Sequence, residues 1–252
     1  MSDEVVPGHV RERMEQSKRV CVFTGAGVSV ESGIPTFRDA GGLWENYRPE
    51  DLVTPEAFAR DSVVVWRWHM WLAGLSYAAE PNDAHKVIGR MDEYYPEFLV
   101  ITQNIDDLHE RGGAKRIVKI HGDLMETRCL DAEHIMRLEK PFDKDSITSR
   151  ETLPKCPKCG GVCRPNVVWF GELLPPEPLY KARDFAAECD LFLIVGTSGA
   201  VSGGYGFTEL AKTAGALIIE VNPEESALTH LTDVSIRMPA AEAFPELFAF
   251  NS

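Results

Sequence analysis

The sequence predicts an α/β fold in which a parallel sheet covered by helices carries a smaller lobe made of two insertions. Three observations predict it. Apolar, strand-like runs recur at 20–24, 98–103, 117–120, 191–196, 216–221 and 234–238 with helical patterns between most of them, and that alternation builds a parallel sheet rather than hairpins. The first run ends in Gly25-Ala26-Gly27, where a strand gives way to a helix whose positive dipole end suits a phosphate. Two stretches break the alternation: a tryptophan-rich helical one at 44–85 and a polar, cysteine-containing one at 126–164. The large lobe is then 1–43, 86–125 and 165–252, and the cleft between the lobes is where ligands of such folds bind.

Composition bounds the function. The 252 residues suffice for one sizeable core and an inserted module. With 26 basic and 39 acidic residues the net charge is −13, which argues against a nucleic-acid partner, since that binding depends on Lys and Arg displacing counterions. A cationic partner fits better. No apolar run is long enough to span a bilayer, and residues 1–19 are charged where a signal peptide is apolar. A cytoplasmic protein with no membrane partner is expected. Six cysteines without an export signal are not a disulfide framework. Cys21 and Cys189 lie in apolar strand contexts and read as core, whereas Cys129, Cys156, Cys159 and Cys163 cluster.

The candidate site residues fall at strand ends. Gly25 and Gly27 leave room for backbone N–H groups to approach a diphosphate. The usual dinucleotide fingerprint has a third glycine where Val30 stands, and an acidic ribose ligand about twenty residues on that is missing here. A hydride-transfer enzyme is therefore disfavoured. Instead, Ser32-Gly33-Ile34-Pro35 interrupts the helical pattern, and Thr36, Phe37 and Arg38 offer a loop with an aromatic face and a cation to close over a nucleotide. At the end of the second run, Gln103, Asn104 and Asp106 face the crevice. An amide beside a carboxylate satisfies both the acceptor and the donor of a carboxamide, although Asn104 or Asp106 could instead cap a helix. His121 follows the third run, and an imidazole there can take a hydroxyl proton near neutral pH. Val168, Trp169, Phe170 and Gly171 form an edge-like run suited to pairing with an extended peptide. Gly196, Thr197 and Ser198 close the fourth run where a ribose or phosphate would lie, and Asn222 closes the fifth, where the distal ribose would.

Taken in order and spacing, GAGVSVESGIPTFR, TQNIDDLHERGG, HG, a CxxC, VVWFGE, GTS and EVNP resemble the sirtuins, NAD-dependent protein lysine deacylases, over about residues 17–247. The resemblance implies a Rossmann-like large domain and a small domain made of a helical and a zinc-ribbon-like insertion. It implies NAD as co-substrate, contacted by Ala26, Phe37, Arg38, Gln103, Asn104, Asp106, Thr197, Ser198 and Asn222, with His121 as catalytic base. In that scheme the acyl-lysine carbonyl oxygen attacks the ribose as nicotinamide leaves. Asn104 and Asp106 hold the carboxamide, Phe37 covers the exposed face, and His121 deprotonates a ribose hydroxyl so that the acyl group passes to ADP-ribose. The partners implied are acylated lysine side chains, most readily acetylated ones, met by a monomer. Two alternatives stand beside it: a mono-ADP-ribosyltransferase or NAD glycohydrolase, and a non-catalytic NAD or ADP-ribose sensor, which the intact Asn104, Asp106 and His121 oppose.

Three departures from the family pattern carry expectations. The second CxxC is intact as Cys156 and Cys159, but the first reads Cys129-Leu-Asp-Ala132. Three zinc ligands therefore stand where four belong, and less than one equivalent of zinc is expected; His134 and Cys163 are the substitutes at hand, but neither has the expected spacing. Sirtuins that remove acidic acyl groups carry a tyrosine and an arginine where this chain has His69 and Leu72, so the pocket should favour uncharged acyl groups. After GTS, the chain has Gly199-Ala200-Val201-Ser202-Gly203-Gly204-Tyr205-Gly206 in place of a proline-containing stretch, which predicts a looser loop beside the peptide.

Overall fold

The computed structural model describes residues 6–37, 42–43, 46–201 and 205–248. The strands are β1 (Arg19–Thr24), β2 (Glu97–Thr102), β3 (Ile117–Lys119), β4 (Gly122–Cys129), β5 (Ile135–Arg137), β6 (Cys163–Val167), β7 (Leu191–Val195), β8 (Leu217–Val221) and β9 (Val234–Ile236). All six expected runs become strands of one sheet, ordered β3-β2-β1-β7-β8-β9, and every neighbouring pair in it is parallel. The chain builds one half outward from β1 and then returns to build the other from β7, so the connections diverge between β1 and β7. That is the topological switch point of a Rossmann-like sheet, where a crevice opens at the strands' carboxyl ends.

Both faces of the sheet are covered, which is why its strands are apolar without alternation. Val20 and Val22 of β1 join the cluster covered by helices Gly8–Gln16, Asp83–Tyr94 and Ala240–Leu247, while Cys21 and Phe23 join the one under Pro176–Ala186 and Phe207–Thr213. Cys21 and Cys189 are both buried there. Asn82 caps helix Asp83–Tyr94, its side chain accepting from Ala84 N at 3.0 Å. Ala84, Val87, Ile88 and Met91 turn towards the sheet at helical spacing.

The two insertions share one core. Helix Ser62–Ala78 is capped by Asp61, which accepts from Val64 N at 3.1 Å, and it buries Val65, Trp66, His69, Met70, Leu72 and Ala73. That stripe packs on the antiparallel sheet β5-β4-β6. The indole N–H of Trp66 donates to the carbonyl of Cys163 at 3.0 Å and ties helix to sheet. β4 starts at Gly122, which pairs with Val167 of β6, so the second insertion's sheet begins directly after His121. No helix among the described residues is long and apolar enough to cross a membrane.

Candidate active site

The turns after β1 and β7 cross at the switch point, and glycine is what lets them. Gly25 N–H donates to Val195 O at 3.0 Å and Gly27 N–H to Gly196 O at 2.8 Å. A Cβ on Gly27 would lie 2.7 Å from Gly196 O, and one on Gly196, whose φ is +55°, 2.4 Å from Val28 N. The glycines therefore serve backbone-to-backbone approach, and the amides of Gly25 and Gly27 already have partners inside the protein. Below them lies a cavity of about 630 Å³.

Most of the expected residues line that cavity: Gly25, Ala26, Gly27, Thr36, Phe37, His69, Gln103, Asn104, His121, Val168, Trp169, Phe170, Gly171, Gly196, Thr197 and Ser198. A small adjoining recess is lined by Asp106 and Leu72 and shares Ala26, Phe37, Asn104 and Ile105 with the main cavity. Asn222 lines neither; its amide donates to Thr197 O at 3.1 Å and so braces the β7 turn from behind. Arg38 lies outside the described residues.

The recess is polar at its base. Ser29 Oγ donates to Asp106 Oδ2 at 3.0 Å and accepts from Asn104 Nδ2 at 3.2 Å. Asp106 also caps the following turn by accepting from Leu108 N at 3.0 Å, so its capping role and its place in the recess coexist. Burial raises the Asp106 carboxyl above its usual range against the pull of the Leu108 amide.

His121 is fixed by its backbone and its ring. Its carbonyl accepts from Val168 N at 2.8 Å, which ties the VVWFGE run to this histidine. Gly122 follows with φ +84°, and a Cβ there would sit 2.0 Å from Asn166 O. His121 Nδ1 donates to Gln103 O at 2.8 Å, while Nε2 meets the Tyr205 hydroxyl at 2.6 Å. With Nδ1 carrying the proton, Nε2 holds the lone pair. Burial pushes the imidazole below its ordinary pKa, and the bond to Gln103 O opposes this. The Gln103 side chain, in turn, donates to Thr197 Oγ1 at 2.7 Å and links the ends of β2 and β7.

Trp169, which also lines the cavity, is gripped from several sides. Its indole N–H donates to His69 Nε2 at 3.2 Å, its main-chain N–H to Glu172 at 2.8 Å, and the Arg164 guanidinium stacks 3.4 Å from its ring centroid. Arg164 also pairs with Glu172 through two bonds of 2.5 and 3.0 Å. Val65 O accepts from His69 Nδ1 at 2.8 Å, and burial holds the imidazole neutral, its pKa lowered to about 4. His69 is thus a buried acceptor for Trp169 as much as a wall of the cavity. The strand β6 stops at Val167: the amides of Val168, Trp169 and Phe170 all bond within the protein, and Gly171 turns the chain at φ +86°.

The cysteine insertion brings four donors together. Cys129, His134, Cys156 and Cys159 place their ligand atoms within 4.8 Å of one another, with Cys129 Sγ 3.5 Å from Cys159 Sγ and Cys156 Sγ 3.4 Å from His134 Nδ1. Thiolate–zinc bonds of about 2.3 Å put tetrahedral sulfurs about 3.8 Å apart, so this donor set fits a structural zinc ion. Of the two substitutes open from the sequence, His134 is the one brought in, because β4 turns back so that Cys129 N–H donates to His134 O at 2.9 Å. Cys163 stays in the core, its thiol pushed up to about 11 by burial. The expectation of less than one equivalent rested on spacing alone, and the fold adds His134 to the three cysteines as a fourth donor.

Other residues of the site had not been singled out from the sequence. Ser29, Ile105 and Tyr205 line or brace the cavity, and only Tyr205, a lone aromatic in a glycine-rich run, had a signal that reasoning on the sequence could have used.

Known proteins match this architecture. The Sir2 family pattern matches residues 25–203. An NAD-dependent protein deacylase 2 of Pyrobaculum aerophilum is 45% identical over 239 residues, 95% of this chain and 93% of that protein. A solved Sir2 homologue–NAD complex superposes with a TM-score of 0.88 at 40% identity, covering 96% of this chain and 92% of that one. A Sir2 variant solved with deacetylated p53 peptide and 3′-O-acetyl-ADP-ribose superposes with a TM-score of 0.84 at 27% identity, covering 95% and 96%. The chain belongs to the Sir2 family.

Proposed function

We propose that the cleft removes acyl groups, acetyl above all, from protein lysines, with NAD as co-substrate and nicotinamide and O-acyl-ADP-ribose as products. The observation that carries this function is His121: a neutral imidazole fixed through Nδ1, its Nε2 meeting the hydroxyl of Tyr205 in a cavity that continues into an amide-and-carboxylate recess. NAD supplies an activated ribose carbon and the acyl-accepting hydroxyl. Asn104, and Asp106 behind it, orient the carboxamide in the recess; Phe37 lines both spaces and keeps water from the reacting centre. His121 Nε2 then takes the proton of a ribose hydroxyl.

The peptide's place is the wall of Val168 to Gly171. Phe170 and Leu173 expose apolar side chains at its rim, Leu173 to 94%, which suits an extended peptide better than a nucleic acid. The same wall speaks to acyl choice: no Lys or Arg is among the described residues lining the cavity, and Glu172 is. A succinyl or malonyl carboxylate would enter without a cation, at a cost of several kcal/mol. On one peptide carrying each acyl group, kcat/KM for acetyl should exceed that for succinyl by at least about a hundredfold. A faster succinylated peptide would remove the acetyl preference from the proposal.

A further inference from the structure

His121 has one free lone pair, and a side chain of the protein already occupies it. The Nδ1–H donates to Gln103 O, so the Tyr205 hydroxyl, 2.6 Å from Nε2, can only be the donor there. The two rings meet nearly edge to face with centroids 5.8 Å apart, and the phenol ring leans on Phe207 at 5.9 Å. Both Tyr205 and His121 line the main cavity.

The backbone at this point is unusual. Tyr205 has φ +61° and is the one non-glycine residue with positive φ among the described residues. A bulky residue avoids that region, and such an outlier persists only where its surroundings over-determine it. Here the surroundings are the core cluster that holds the ring and the imidazole that holds the hydroxyl.

We propose that Tyr205 is a positioning residue that occupies, in the nucleotide-free protein, the point on His121 Nε2 that a ribose hydroxyl of NAD must take. This rests on the role of His121 as the base. Binding is then an exchange of one hydroxyl for another: the bond from Tyr205 Oη–H to Nε2 breaks, the bond from the ribose O–H forms, and no proton leaves either oxygen in that step. Burial raises the phenol to about 12, so it remains a donor through neutral pH. The device keeps the imidazole aimed into the cleft while the cleft is empty, and it weakens NAD binding by the strength of the bond that must be given up.

The test is Tyr205→Phe, which keeps the ring and deletes the hydroxyl, studied as the whole protein. Calorimetric titration with NAD and an NMR titration of the His121 ring in the empty protein are the two readouts. Losing one net hydrogen bond should tighten NAD binding about threefold to tenfold, and His121 should titrate at higher pH because its lone pair is released. An NAD affinity equal to or weaker than that of the parent protein overturns the proposal; if kcat falls as well, the hydroxyl belongs to the proton path instead. His121→Ala, assayed alongside, separates the two claims. Deacetylation surviving in that variant would end the role of His121 as base, whereas tighter NAD binding by Tyr205→Phe would still stand.

Discussion

Trp169 and His121 both line the cleft, and each is held by contacts that no single sequence motif contains. Trp169 depends on His69, Glu172 and Arg164, which come from helix Ser62–Ala78, the turn beyond β6, and β6 itself. Replacing His69 with Leu should leave the indole N–H unsatisfied, at about 1–3 kcal/mol, and should raise KM for the peptide while leaving NAD affinity near its starting value; steady-state kinetics with each substrate varied checks this. His121→Ala should lower deacetylation by about 10²–10⁴-fold while the protein still binds NAD in a calorimeter. Because burial depresses the imidazole's pKa, the base stays unprotonated below the ordinary histidine value of about 6.5. The acid limb of kcat/KM should therefore lie below that pH. His121, Asn104 and Asp106 were legible because polar residues at strand ends point into the crevice. Ser29 was not: a serine in a short helix is ordinary until β2 delivers Asn104 and Asp106 against it.

At the scale of elements, the cysteine insertion is where spacing told least. CxxC pairs are legible because both ligands sit in one tight turn, here braced by Gly160 N to Cys156 O at 2.8 Å. His134 reaches the cluster through the turn between β4 and β5, whose path is set by the pairing of Arg128 with Ile135, and pairing register is not written in ligand spacing. Elemental analysis should give one equivalent of zinc, and His134→Ala and Cys156→Ser should each lower it. The large sheet should persist in both variants, since the cluster lies in the core shared by the two insertions and not in those flanking the sheet. A full equivalent retained by His134→Ala would exclude the imidazole as fourth ligand. The glycine turn after β1 was legible as a turn, yet its reason was partly elsewhere: the glycines admit the β7 turn, 170 residues away in sequence, and no local pattern reports that crossing.

For the molecule as a whole, the sheet was the most legible feature, because strands buried on both faces are apolar throughout and stand out from the amphipathic helices between them. The division of helices between lobes was less so, since helix Asp83–Tyr94 follows the tryptophan-rich helix after only a short turn at 79–82 yet covers the sheet. Burial of histidines gives the fold a shared pH response. His69 and His85 have pKa values lowered to about 4 by burial. The unfolded chain binds protons at these groups near pH 6.5 and the folded protein only near 4, so the stability they contribute is complete above about 6.5 and is lost as pH falls through that window. The paired carboxylates of Asp92 and Asp123, depressed below their usual values, add their own loss only at still lower pH. Calorimetry should therefore show Tm falling between pH 7 and 5.

The central claim is that one cleft couples nicotinamide release to acyl transfer from a lysine. The most direct measurement incubates the protein with NAD and an acetylated peptide and follows nicotinamide and peptide mass together. One nicotinamide should be released for each acetyl group lost, with O-acetyl-ADP-ribose formed in the same amount. Nicotinamide released while the peptide keeps its acetyl group, or gains ADP-ribose, would contradict it.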